Sequence, residues 1–318
     1  MIIIRNLQDL ENQKDSVLTI GTFDGVHIGH QKLLSALVNK AKDNNLESIV
    51  VTFDPHPRDI IRPNEPKLKL LSTIQERCKY FSQFGVDKII IISFNTEFSK
   101  ISYSEFIKNY LVDKFHVKHV IVGYDHSFGK DKEGKFDLLA KSGIEFGFGV
   151  EQIDQVYFGN YIAKSSTIRN QLGDGDLNLI NGLLNRDYEF SGKVIKGDNR
   201  GKELGFPTAN LEVNGINKLI PKSGIYLVKA ELETHVYFGL LSIGTLPTFY
   251  DSHKIVVEVY LFNFMQNIYD KELTIHLIKY LREQKKFNSV EELIKAMDLD
   301  KKNGLEILEK EYLYNNLK

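Results

Sequence analysis

The sequence predicts an α/β parallel-sheet domain followed by a small antiparallel β-barrel with a C-terminal helix. Three observations carry that expectation. In the first half, near-continuous apolar runs alternate with helical patterns, as in a parallel sheet covered on both faces. After Leu184 the texture changes to closely spaced alternating runs separated by glycine-rich turns, the mark of a small barrel. The chain then reaches a final helical pattern opened by Ser289 and Glu292, a capping box.

The elements follow in order. Strand-like runs occupy 17–21, 49–53, 88–93 and 118–122, with helical spacing between them at about 29–43, 72–84 and 103–115. Ser72 with Gln75, and Ser102 with Glu105, read as capping boxes. One further helix is expected over about 167–184, and the domain boundary is placed there, giving units 1–184 and 185–318. In the second half, alternating runs start at Tyr226, Val236, Ile255 and Leu273.

Composition narrows the function. With 42% apolar residues over 318 positions, two cores are within reach. A net charge of −1 argues against a general nucleic-acid or membrane surface. Cys78 is the single cysteine, so no intramolecular disulfide and no cysteine-based zinc cluster is expected, and the thiol reads as a core residue. The apolar start Met1–Ile4 is too short for a signal peptide, and no run reaches the length of a membrane span. The expectation is a soluble cytoplasmic protein, a monomer or weak homo-oligomer.

Residues 21–30 read GTFDGVHIGH, between the strand-like run ending at Ile20 and the helical pattern of Leu33, Leu34, Leu37, Val38 and Ala41. A strand-to-helix loop aims backbone N–H groups and the positive end of a helix dipole at whatever sits above it. Gly21 and Gly25 permit a tight turn, and Gly29 removes a side chain where a ligand approaches. His27 and His30, three apart, project from one side of a helical turn and suit a polyphosphate. Two alternatives stand beside that reading: zinc with His56 as third ligand, or a pair of surface histidines.

GTFDGVHIGH resembles the His-x-Gly-His signature of the nucleotidyltransferase superfamily. Together with TFDPHP (52–57), VGYDHSFGK (122–130) and KSSTIRNQL (164–172), it is similar to the N-terminal, Rossmann-like domain of bacterial bifunctional riboflavin kinase/FAD synthetases. The resemblance implies adenylyl transfer from ATP to FMN, with attack of the FMN phosphate on the α-phosphorus and release of pyrophosphate. It implies an ATP site of Gly21, Phe23, Asp24, His27, His30, Asp125, Ser166, Thr167 and Arg169. His27 and His30 would contact the phosphates, and Arg169 with Ser166 and Thr167 the pyrophosphate. Phe53 and Phe128 would flank the flavin, each being equally readable as core, while for Asp24 turn capping is the alternative to the ATP-site role. Lys164 stands where the family usually has serine.

Residues 192–212, GKVIKGDNRGKELGFPTANLE, interleave Lys193, Lys196, Arg200 and Lys202 with Gly192, Gly197, Gly201 and Gly205. That composition favours phosphate. In a strand, Thr208 and Asn210 share one face. The stretch resembles the riboflavin kinase domain, as do PKSGIY (221–226), IGTLPTF (243–249), VEVYLFNF (257–264) and LREQKKF (281–287). By that resemblance Gly197, Gly201, Lys202, Thr208 and Asn210 bind ATP, Thr208 and Asn210 hold Mg²⁺, and Arg282 binds flavin. Glu258 would be the base that deprotonates the ribityl hydroxyl. It is the one charge in 255–262 and shares its strand face with Val256, Tyr260 and Phe262. Leu246, Tyr260 and Asp270 depart from the usual arginine, histidine and glycine, and Lys202 from a frequent arginine.

The resulting expectation is one chain that makes FMN from riboflavin and FAD from FMN, each with ATP. Its partners are small molecules only, riboflavin, FMN and ATP, with Mg²⁺ as cofactor. Two rivals are adenylylation alone with a flavin-binding barrel, and a nucleotidyltransferase for another phosphorylated substrate. The 192–212 stretch speaks against the second.

Overall fold

The computed structural model describes residues 1–10, 13–124, 136–197, 205–215, 217–246 and 254–310. They form two compact units, Met1–Ile168 and Arg169–Lys318. The first contains β1 (Ile2–Ile4), β2 (Ser16–Ile20), α1 (Ile28–Asp43), β3 (Glu47–Asp54), α2 (Pro57–Ile61), α3 (Ile74–Gln83) and β4 (Lys88–Ser93). It continues with α4 (Tyr103–Phe106), which runs into the π-helical turn Ile107–Val112, then β5 (Val117–Gly123), α5 (Phe136–Phe146) and β6 (Gly149–Ile153). A short hairpin, β7 (Tyr157–Phe158) and β8 (Tyr161–Ile162), precedes α6 (Ser165–Asp174).

The sheet is parallel with order β1-β4-β3-β2-β5-β6. Its central strands β2, β3 and β4 carry apolar residues on both faces because each face has its own cover. Val17, Val50, Ile89 and Ile91 pack with Leu34, Leu37 and Phe81 of α1 and α3. Leu18, Ile49, Val51, Ile90 and Val120 pack on the opposite side with Phe106, Leu111 and Phe115. From β2 the chain builds outward through β3 and β4, then returns to add β5 and β6 on the other side. The carboxyl ends of β2 and β5 are therefore a topological switch point, where such sheets place their ligands.

Two local expectations are corrected. α3 is capped by Thr73 with Glu76, not by Ser72 with Gln75. Ser72 is already engaged: its N–H and Oγ donate to Asp24, and its Oγ accepts from Gly25 N–H. The helix expected over 167–184 is two, α6 and α7 (Leu177–Leu184), broken at Gly175 with φ +83°. As expected, Cys78 is a buried free thiol, and burial pushes its pKa up.

The second unit holds β9 (Tyr188–Ile195), β10 (Thr208–Val213), β11 (Gly224–Leu232), β12 (His235–Leu246), β13 (Lys254–Leu261), β14 (Glu272–Arg282) and α8 (Val290–Leu308). The strands close into a barrel of order β10-β13-β12-β11-β14-β9, antiparallel throughout, with β9 and β10 closing the seam. Phe190, Tyr226, Val228, Leu241, Val259 and Ile275 are wholly or nearly buried at alternate positions. A second cluster of Leu227, Leu240 and Phe262 lies beneath Ile307 and Leu308 of α8. Each of these buried side chains stabilises by roughly 1.5–3 kcal/mol. Gly304 lets α8 approach, since a Cβ there would come within 3.2 Å of Leu227. α7 is fastened to the barrel by Asn181, whose amide donates to Leu277 O at 3.0 Å and accepts from Tyr188 N–H at 2.9 Å.

Candidate functional site

The loop after β2 is held in an unusual shape. Phe23 and Val26 have φ of +50° and +41°, and Gly25 has +82°. A β-branched residue in that region is strained, so the surrounding contacts must over-determine it. They do. The Asp24 carboxylate is 2% exposed residue-wide and accepts from Leu71 N–H, Ser72 N–H and Ser72 Oγ at 3.0–3.3 Å. From the other side, Ser165 Oγ donates to Asp24 O at 2.8 Å. Asp24 thus fixes the loop, which is its turn-capping role.

His27 caps α1. Its Nδ1 accepts from His30 N–H at 3.4 Å, which leaves the proton of the neutral ring on Nε2 and makes that nitrogen a donor. The His27 and His30 rings stack at 3.7 Å, and His30 meets the edge of Phe23 at 5.1 Å. A Cβ at Gly29 would stand 3.2 Å from the His27 ring, and one at Gly21 would stand 3.3 Å from the Phe23 ring. Glycine at these positions therefore sets where both rings lie. The pair is brought together at a helix N-terminus, as the spacing suggested.

At the end of β3, half-buried Phe53 packs edge-on against Phe94 at 5.5 Å. The His56 Nδ1 accepts from Arg58 N–H at 3.1 Å and caps α2. Among the described residues, no group of three His, Cys, Asp or Glu is arranged to hold a metal ion. Ser166, Thr167 and Arg169 lie on α6, with Ser166 exposed and the other two half-buried. Asp125 and Phe128 lie outside the described residues.

Sequence reasoning missed Ser72, Ser165 and Arg77. Arg77 had a visible signal: with Ile74, Cys78 and Phe81 it occupies the apolar face of α3, and it is 3% exposed. A charge in that position asks for a reason.

In the barrel, Thr208 pairs with Tyr260 and Asn210 with Glu258 across β10–β13, while Ser242 pairs with Glu258 across β12–β13. Thr208, Asn210 and Glu258 therefore share one face of the sheet. A side chain at position 197 would overlap the Asn210 amide, so Gly197 lies against that amide only as glycine. Gln284 Nε2 donates to Ser242 Oγ at 2.9 Å beside this group. Tyr260 packs against Phe206 at 5.2 Å. Asp270 has φ +65° and pairs with Lys193 at 2.7 Å, which explains both why glycine suits the position and how aspartate is tolerated. Gly201 and Lys202 lie outside the described residues, as does the side chain of Leu246.

An open groove of about 550 Å³ runs between the end of β14 and α8, lined by Tyr280, Arg282, Lys285, Phe287, Leu299 and Asp300. Arg282 grips the 5%-exposed Asp300 with two nitrogens, Nε at 2.8 Å and Nη2 at 2.6 Å, and lies 5.9 Å from the Phe287 ring centre. A planar fork held rigid beside an aromatic wall suits a flat polar ring.

These two sites can be compared with known proteins. Residues 9–167 match the family described as FAD synthetase, and residues 184–308 the family described as riboflavin kinase. A bifunctional riboflavin kinase/FMN adenylyltransferase of Listeria monocytogenes is 37% identical over 289 residues, 91% of each chain. Proteins of the same description from Bacillus subtilis and Escherichia coli are 35% and 33% identical, over 93% and 92% of this chain and 93% of each of theirs. A crystal structure described as a macrolide-efflux protein from Streptococcus pneumoniae has TM-score 0.85 and 29% identity, covering 95% of this chain and 97% of that one. Among the described residues no helix is long and apolar enough to cross a membrane. With both families matched in order and relatives similar along nearly their whole length, the chain belongs to the bifunctional riboflavin kinase/FMN adenylyltransferases.

Proposed function

We propose that the chain phosphorylates riboflavin to FMN in the barrel and adenylylates FMN to FAD at the loop after β2, each with its own ATP. The observation that carries this reading is the register of Asn210 against Glu258 on the face that also bears Thr208. A phosphoryl-transfer site in the barrel is what separates two activities from adenylylation alone. The functional division falls at 184/185, since the motifs of one step precede it and those of the other follow it.

In the kinase step, Glu258 takes the proton from the ribityl 5′-hydroxyl as that oxygen attacks the γ-phosphorus and ADP leaves. Riboflavin lies in the groove beside Arg282 and Phe287. Gly197, Gly201 and Lys202 serve the ATP phosphates. The Thr208 hydroxyl and Asn210 amide oxygen, set opposite a carboxylate, are the hard oxygen donors that suit Mg²⁺, which neutralises phosphate charge when bound. Thr208 and Asn210 are the residues that would hold it.

In the second step, an FMN phosphate oxygen attacks the α-phosphorus in line, and pyrophosphate leaves with the electron pair. No protein nucleophile is required; positioning and charge stabilisation do the work. His27 offers Nε2–H to the phosphates beside His30. Arg169, with Ser166 and Thr167, holds the departing pyrophosphate bidentately. Phe53, Asp125 and Phe128 belong to the flavin and nucleotide side of this site.

Incubating the purified protein with riboflavin, ATP and Mg²⁺ and separating the products by chromatography tests the proposal. FMN should appear first and FAD after it. FAD made only from supplied FMN would leave adenylylation alone, and absence of any flavin turnover would overturn both assignments.

A further inference from the structure

Arg77 is a buried cation in an unfavourable place. It lies one turn from the N-terminus of α3, where the helix dipole opposes positive charge. It is 3% exposed, and among the described residues its guanidinium bonds carbonyl and hydroxyl oxygens, not a carboxylate. Its Nε has no hydrogen-bond partner there. Asp24 and Asp54 favour its charge through space, against the burial that opposes it. Asp24 is committed to Leu71 and Ser72, and Asp54 lies 3.7 Å from Arg5. Burying a charge without a paired carboxylate is costly, and a purely structural role on the apolar face of a helix is filled better by leucine or methionine.

What the guanidinium touches supplies the reason. Nη1 donates to Thr22 O at 2.6 Å and to Thr52 Oγ1 at 3.0 Å, and reaches Phe53 O at 3.5 Å together with Nη2. Thr22 begins the loop of Phe23, Asp24 and His27. Thr52 and Phe53 begin the TFDPHP stretch. One side chain thus bridges the carbonyls at the carboxyl ends of β2 and β3, the two places from which the motif-bearing loops leave the sheet. The Asp24–Ser72 bonds tie the same loop to the start of the same helix, so α3 holds it at two points.

We infer that Arg77 is a positioning residue of the adenylyl-transfer site, bridging the Thr22 and Phe53 carbonyls so that the histidine-bearing loop and the Phe53 loop keep one mutual geometry. The inference rests on the functional reading given above. The fork matters as well as the charge: Nη1 holds Thr22 O and Thr52 Oγ1 while Nη2 adds a second contact to Phe53 O, and a lysine ammonium has no second nitrogen to supply it.

The test compares Arg77→Met and Arg77→Lys with the natural protein, measuring FAD formation from FMN and FMN formation from riboflavin on the same preparations. The barrel activity serves as the internal measure of folding. Arg77→Met should lower kcat for FAD formation at least about 30-fold while KM for FMN and ATP stays within about threefold, since misplaced groups cost turnover. Arg77→Lys should recover part of this, with a remaining loss of at least about threefold. FMN formation should stay within about twofold in both variants. Should Arg77→Met fail to fold, Arg77→Lys decides: a loss of threefold or more confined to FAD formation upholds the inference. A smaller loss, or an equal loss of both activities, overturns it. If the natural protein itself makes no FAD from FMN, the functional reading fails and this inference with it; if it does and the variants match it, only this inference fails.

Discussion

Asn210 and Glu258 stand directly opposite one another on β10 and β13, and Ser242 of β12 flanks Glu258 from the other side. Side chains paired in this way lie about 5 Å apart at Cβ, close enough for one phosphoryl group to engage both. Glu258→Ala is expected to lower FMN formation by about 10²–10⁴-fold, the range for a lost general base. FAD formation from supplied FMN should be spared. Separate assays of the two products check it, and a parallel loss of both would contradict two sites.

The converse is expected at the first site. His30→Ala removes the ring that stacks on His27 at 3.7 Å. FAD formation should fall by roughly two orders of magnitude or more, as for removal of a transition-state donor, with FMN formation unchanged. Steady-state assays on one preparation suffice.

Gly197→Ala places a methyl group in the space of the Asn210 amide. The amide must turn away, so the kinase KM for ATP–Mg²⁺ should rise by about tenfold or more, about 1.4 kcal/mol of lost binding. The barrel's thermal transition should move far less than that of a core variant such as Val259→Ala.

Asp300→Asn keeps the shape but removes the charge that fixes Arg282 at 2.6–3.1 Å. Riboflavin KM should rise by about tenfold with a smaller change in kcat. Asp300 is buried and Arg282 is not fully so. Some loss of barrel stability therefore accompanies it, read by denaturant unfolding.

Burial pushes the Tyr226 phenol well above its ordinary pKa, and its OH donates to Lys222 O at 2.6 Å. Because the folded value is the raised one, its contribution is complete below the unfolded value of about 10 and is lost as pH rises beyond it. The denaturation midpoint of the barrel should therefore drop through the alkaline range. Tyr226→Phe should flatten that dependence.

Much of this architecture was legible in the sequence. The run 88–93 is β4 to the residue, and the helix expected at 29–43 is α1 with one residue added. What escaped notice had weak local signals. β1 has three residues, and β6, Gly-Val-Glu-Gln-Ile, has no clean period. The strands β9 and β10 were hidden inside a stretch whose glycines and lysines drew attention to phosphate instead. His27 and His30 were related by spacing in the sequence; the register that sets Asn210 against Glu258 was not, since neither segment records which strand pairs with it. Asp24 was readable as a turn cap, but its partners at Leu71 and Ser72 were not. Arg77 and Asp300 were charges on helical faces whose partners sit on other strands, and no local pattern records such a pairing.

Asn181 carries a practical consequence. Its amide bonds Leu277 O, Asp187 Oδ1 and Tyr188 N–H, so it belongs to the barrel although it precedes the division proposed at 184/185. A fragment beginning at 185 would orphan these groups at about 1–3 kcal/mol for each that stays dry. An excised barrel should therefore keep α7 and the residues before it back to Arg169, where the compact unit begins and where Leu172 O accepts from Lys222 N–H.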